Sequence, residues 1–124
     1  MNFLLVFIGG GLGSLVRYGL SILSLKYLRS NLPLGTFLAN FLACLILVIT
    51  INFINHSDHP SKWAKPLLII GFCGGFSTFS TFSMETLLLI KSGAPQWAFI
   101  NIMVSVAACL ALLLILYKTP ANTV

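Results

Sequence analysis

Four stretches of the chain stay apolar long enough to cross a bilayer, and short polar links separate them. They cover residues 3–25, 35–54, 66–90 and 96–117. About 20 consecutive apolar residues are needed to cross a hydrocarbon core roughly 30 Å thick. Arg17 is the lone charge in the first stretch and Glu85 in the third; the second and fourth carry none. The links hold Lys26, Arg29 and Pro33, then His56, Asp58, His59, Pro60, Lys62 and Lys65, then Lys91, Gly93 and Pro95. The tail after Tyr117 is polar and contains Pro120. This pattern predicts an all-α membrane protein: one domain over residues 1–124, four transmembrane helices, both termini on one side. The N-terminal stretch lacks the basic flank and processing site of a leader, so it reads as the first span.

Composition agrees. Hydrophobic residues make up 58% of the chain and charged residues 7%, against about a quarter charged in soluble domains. Mean hydropathy is +1.02. The formal charge of +5 is scattered between apolar runs. Nucleic-acid binding calls for a clustered basic stripe, so no nucleic-acid partner is expected. No P-loop, HExxH metal site or nucleophile elbow occurs, which argues against an enzyme. Cys44, Cys73 and Cys109 lie in three separate apolar runs with no CxxC spacing and read as small packing residues.

The loop charges decide less than usual. Lys62, Lys65 and Lys118 fall on the side of the termini; Lys26, Arg29 and Lys91 fall on the other. The positive-inside rule needs an imbalance to set orientation. Either few charges leave the rule noisy, or the chain inserts both ways and works as an antiparallel pair. Four helices also make a poor container for a path, and a closed two-fold dimer is the commonest remedy. Gly35, Ala39 and Ala43, four residues apart, favour close helix packing.

Most of the chemistry sits in the third stretch, Gly71-Phe-Cys-Gly-Gly-Phe-Ser-Thr-Phe-Ser-Thr-Phe-Ser83. Gly74 and Gly75 are poor helix formers, and the neighbouring hydroxyls compete for backbone groups. A break there, near mid-membrane, is tolerated only in protein or along a wet cavity. A kinked, closely packed helix is the alternative. Past the glycines the sequence repeats every three residues. Phe79 and Phe82 share one face, Thr78, Thr81 and Glu85 another, and Ser80 and Ser83 a third. The two rings face either lipid or a pathway. A ring edge carries partial positive charge, so edges beside a row of hydroxyls suit a small, strongly hydrated anion. Asn40, and Asn101 with Ser105 one turn on, either hydrogen-bond between helices or line a polar track. Arg17 either snorkels or faces a vestibule. Glu85 fits packing or helix termination better than proton transfer. His56 and His59 lie in a loop with one nearby acid and make a poor metal site.

Taken with Gly10-Gly-Leu-Gly-Ser-Leu-Val-Arg-Tyr18, Pro33-Leu-Gly-Thr-Phe-Leu-Ala-Asn40, Glu85-Thr86, Asn101 and Ser105, the third-stretch motif resembles the Fluc family, also called CrcB, of small bacterial fluoride channels. The likeness covers nearly the whole chain. It implies a fluoride-selective passive channel of the bacterial inner membrane, exporting cytoplasmic fluoride through two pores in an antiparallel, dual-topology homodimer. By position, Phe79, Phe82 and Asn40 would line the pathways, and Ser80, Thr81 and Ser105 would form a polar track. Arg17 would stand near the aqueous entrance. Backbone carbonyls of Gly75 and Thr78 would hold a structural sodium ion (Na+) at the dimer centre. Ser77, where Thr is frequent, and Ala43, where Gly is common, depart from the family pattern by small-for-small changes. A proton-coupled fluoride transporter is the alternative.

Overall fold

The computed structural model describes residues 1–27, 32–57 and 61–118. Within them the chain forms α1 (Asn2–Tyr27), α2 (Leu34–Asn55), a π-wound segment (Lys65–Cys73) running into the short α3 (Gly74–Phe76), then α4 (Phe79–Lys91) and α5 (Pro95–Leu116). Four helical spans, Asn2–Tyr27, Leu34–Asn55, Lys65–Lys91 and Pro95–Leu116, are long and apolar enough to cross a membrane. Each lies within a few residues of its expected bounds. Arg29, Asp58, His59, Pro60 and Pro120 lie outside the described residues.

The apolar side chains mostly face outward. Phe3 is 92% exposed and Leu114 81%, as expected where lipid or a partner replaces water. The buried core is small: Ala39, Ala43 and Phe76, packed about by Leu20, Leu42, Ile46 and Phe72. Gly35, Ala39 and Ala43 are all buried, so the small-residue face of α2 is the one turned inward.

Between spans, the chain turns where the sequence indicates. Gly93 adopts a positive φ of 80°, the left-handed conformation that closes a helix C-terminus at low cost. Its N–H donates to the Ile90 carbonyl and that of Ala94 to the Leu89 carbonyl. Pro95 then opens α5 as its first residue, where the missing N–H is no loss. At the other end of α5, the Asn52 side chain donates to the Leu116 carbonyl at 2.7 Å and accepts from the Lys118 N–H at 3.0 Å. One amide thus satisfies backbone groups that the end of α5 leaves open.

The third span is interrupted at mid-length, but not at the glycines. Gly74 is helical at φ −65°, ψ −37°. The chain becomes extended at Ser77 (φ −74°, ψ 157°) and Thr78 (φ −152°, ψ 116°). Gly75, with Gly13 on α1, does something else: it lets two backbones touch. A methyl on Gly75 would run into the Gly10 carbonyl, and one on Gly13 into the Phe72 carbonyl. Packing that close is how small residues join helices in lipid, where no hydrophobic effect drives them together.

Candidate functional site

The extended step at Ser77 and Thr78 frees backbone groups at membrane depth, and each must find a partner. Asn40 on α2 supplies two. Its Oδ1 accepts from the Thr78 N–H at 2.7 Å, and its Nδ2 donates to the Thr78 carbonyl at 3.3 Å. The Ser77 N–H returns to the Cys73 carbonyl at 3.0 Å, and its hydroxyl reaches the same carbonyl at 2.9 Å. Thr78 then caps α4, its hydroxyl oxygen accepting from the Thr81 N–H at 3.3 Å. Such a cap contributes on the order of 1 kcal/mol. The Thr78 hydroxyl also donates to that of Thr81 at 3.0 Å and lies 3.4 Å from that of Ser80.

Beside this step lies a cavity of about 370 Å3. Asn40, Ser77, Thr78, Phe79, Phe82 and Ser105 line it, with Cys44, Val106, Cys109, Leu110 and Leu113 on the α2 and α5 walls. The Phe79 and Phe82 rings stand 6.0 Å apart between centroids, tilted by 40°. They do share a face. Phe82 is half-buried, whereas Phe79 is 79% exposed.

A second polar chain supports Phe82 from behind. Ser105 Oγ donates to Asn101 Oδ1 at 3.5 Å, Asn101 Nδ2 donates to the Thr86 hydroxyl at 3.0 Å, and Thr86 Oγ1 donates to the Phe82 carbonyl at 2.8 Å. Asn101, Ser105 and Thr86 are all buried. The Thr86 bond is the familiar return of a hydroxyl to the carbonyl one turn back. Here it is tied to a neighbouring helix.

Glu85 does not join Thr78 and Thr81. Its Oε1 accepts from the Thr36 hydroxyl on α2 at 2.8 Å, while Oε2 is buried with no hydrogen-bond partner among the described residues. Thr36 and Thr86 stood in the sequence only as members of the family-like motifs, with no role of their own. A threonine in an apolar run could have been flagged only by asking which buried polar group it answers.

The cavity therefore gathers Asn40, Thr78, Phe79, Phe82 and Ser105. It does not gather Ser80 and Thr81, whose side chains are exposed on α4 outside its lining. Arg17 is half-exposed on α1 and also outside it; its carbonyl accepts from Ser21 Oγ at 3.0 Å. His56 Nδ1 lies 2.8 Å from the Asn52 carbonyl, one turn back in its own helix.

The structural sodium ion is a correction. Among the described residues no group of three or more His, Cys, Asp or Glu side chains could hold a metal ion. The carbonyls expected to bind it are turned to donors instead: Thr78 to Asn40 Nδ2, and Gly75 to Ser14 Oγ at 3.4 Å. A carbonyl that already faces a donor is a weakened cation ligand.

Comparison with known proteins bears on the same residues. Residues 4–116 match the family model described as "CrcB-like protein, Camphor Resistance (CrcB)". The chain is 40% identical over 114 residues to "Fluoride-specific ion channel FluC 1" of Yersinia pestis, covering 92% of this chain and 89% of that one. It is 37% identical over 116 residues to "Fluoride-specific ion channel FluC" of Serratia proteamaculans (strain 568), covering 94% and 91%. The protein of the same description from Coxiella burnetii (strain Dugway 5J108-111) is 42% identical over 113 residues, covering 90% of each chain.

Proposed function

Because the chain belongs to the CrcB family, we propose that it is a fluoride-selective channel, passing the anion passively along the Phe79–Phe82 cavity. It is a multi-pass protein of the bacterial inner membrane and not an enzyme. The observation that carries the proposal is the composition of that cavity, which sets two aromatic rings against neutral hydrogen-bonding groups and no fixed negative charge. Ring edges attract an anion weakly. The second N–H of Asn40 Nδ2 offers a replacement for lost water, and the Ser105 hydroxyl offers another by turning from its long 3.5 Å bond to Asn101 Oδ1. Conduction needs binding that is favourable enough to enter and weak enough to leave. Neutral donors and ring edges meet both demands, whereas a lysine or arginine in the wall would hold the anion.

In this reading one chain supplies only part of the wall. Phe79, Leu110 and Val106 line the cavity yet are 79%, 53% and 46% exposed. A second copy would cover them. The near-even loop charges support an antiparallel homodimer with two pores. Arg17 would raise the local anion concentration at an entrance, and Ser80 and Thr81, exposed on α4, would complete the track against the partner.

The test is fluoride efflux from liposomes holding the purified protein. A passive channel gives rapid, electrogenic efflux that needs no pH gradient and excludes chloride. Slow efflux carrying protons would replace this reading with a coupled transporter, and no efflux would remove fluoride transport altogether.

A further inference from the structure

Asn52, near the end of α2, holds the end of α5. Its Nδ2 donates to the Leu116 carbonyl at 2.7 Å, and its Oδ1 accepts from the Lys118 N–H at 3.0 Å. Its own carbonyl accepts from the His56 N–H at 3.2 Å, so the amide is presented from a settled last turn. Asn40, Cys44, Val48 and Asn52 stand four residues apart on α2, which places them along one face. Asn40 and Cys44 line the Phe79–Phe82 cavity, and Val48 is buried. On α5 the cavity wall runs from Ser105 through Cys109 to Leu113, one turn short of Leu116. The two helices run side by side in the same direction, and their ends meet at Asn52 just beyond the cavity.

We infer that Asn52 is a positioning residue for this cavity: by tying the α5 end to α2 it fixes the gap between the two walls at their outer end, and with it how large an anion can pass. The inference rests on the channel reading above. Three features support it. First, the α5 end has weak support of its own. Leu114 and Ile115 are exposed, the last carbonyls of a helix lack an intrahelical donor, and in lipid no hydrophobic effect presses two helices together. Second, the α5 end presents a carbonyl and an N–H to one side chain. An amide answers both, whereas a carboxylate answers one and an alkyl group neither. Third, the amide extends from the cavity face of α2, so the tie acts on the wall itself.

Selection between halides by fit needs walls that stay put. Chloride is larger than fluoride, and a wall that swings outward at Leu113 admits it. A mere helix cap would govern how readily the α5 end opens but not which anion passes, and that difference separates the two roles.

The test uses the full chain, purified and returned to liposomes, with three variants. Asn52→Leu removes both bonds at similar volume. Lys118→Pro removes only the N–H that Asn52 accepts; Tyr117 already has the extended backbone (φ −69°, ψ 122°) that a residue before proline favours. Lys118→Ala removes the lysine charge and keeps that N–H. Each protein is read twice, by hydrogen–deuterium exchange over residues 110–118 and by the ratio of fluoride to chloride efflux rates. Exchange should quicken about tenfold in Asn52→Leu, less in Lys118→Pro, and stay at the wild-type rate in Lys118→Ala. The efflux ratio should fall in the same order, by about tenfold in Asn52→Leu. Unchanged exchange in both Asn52→Leu and Lys118→Pro would overturn the tie. Faster exchange with an unchanged ratio would leave Asn52 a helix cap and overturn its positioning role. Equal effects of Lys118→Ala and Lys118→Pro would assign them to the lost charge and overturn it too. If Asn52→Leu does not fold, Lys118→Pro against Lys118→Ala decides on both readouts. Should the wild type pass no fluoride, the channel reading fails alone, because exchange still decides whether Asn52 holds the α5 wall.

Discussion

The side-chain amide of Asn40 does for Thr78 what a neighbouring strand would do: it accepts the Thr78 N–H at 2.7 Å and donates to the Thr78 carbonyl at 3.3 Å. An extended step inside a membrane span is thereby satisfied from one side chain. The direction of α4, and with it the placement of Phe79 and Phe82, follows from that pair of bonds.

Removing the amide should therefore harm both stability and flux. Asn40→Ala leaves the Thr78 N–H buried without a partner, at a cost of about 1–3 kcal/mol. The thermal midpoint in detergent should fall and fluoride efflux should drop. Asn40→Asp, which can still accept from Thr78 N–H but brings a charge, should fold better than Asn40→Ala and conduct poorly. An unchanged midpoint for Asn40→Ala would mean that the step is held by other contacts.

The two adjacent glycines should behave differently. A methyl on Gly75 meets the Gly10 backbone, while one on Gly74 meets nothing within 4 Å. Gly75→Ala should reduce the yield of folded protein sharply, and Gly74→Ala should leave it near wild type. Size-exclusion profiles of the two variants in detergent read the difference. Equal behaviour would show that the α1 contact can shift.

Thr86 should matter through the Phe82 carbonyl. Thr86→Val removes the 2.8 Å bond to that carbonyl and leaves Asn101 Nδ2 without its acceptor, while Thr86→Ser keeps both. Efflux should fall in the first and persist in the second. Phe82→Ile, which removes the ring itself, should damage flux while assembly, read by cross-linking, stays mostly intact. Wild-type flux in Phe82→Ile would take that ring out of the pathway.

Thr36 and Glu85 should be energetically coupled. Thr36→Val removes the one hydrogen-bond donor that the Glu85 carboxyl has among the described residues, where Oε2 already has none. Thermal unfolding of Thr36→Val, Glu85→Gln and the double variant forms a cycle. A coupling of about 0.5–3 kcal/mol is expected for groups in direct contact; strict additivity would mean that the bond contributes nothing.

The four spans were legible because lipid imposes them: a run of apolar residues long enough to cross has few other fates. The pairing of Phe79 with Phe82 and of Asn101 with Ser105 was legible too, since helical periodicity puts residues three and four apart on one face. The loop turn at Gly93 and Pro95 was equally open to reading. The break was legible in kind but displaced in position. Propensity pointed to Gly74 and Gly75, yet both stay helical; the missing side chain of Gly75 serves the contact with α1, and that of Gly74 serves no contact. The extended residues are Ser77 and Thr78, where Asn40 can answer the freed backbone.

What only the tertiary structure decided are the meetings between spans. Asn40 with Thr78, Thr36 with Glu85 and Thr86 with Asn101 are each separated by fifteen residues or more, and no periodicity within one helix links them. The same meetings overturned the sodium site, since the carbonyls of Gly75 and Thr78 proved to have donors from α1 and α2. Sequence by itself determined how many times the chain crosses and which residues share a helix face, because apolar length and helical period are local. Packing decided which polar groups find one another, because in a span a buried donor or acceptor must be answered by whichever neighbour the fold supplies.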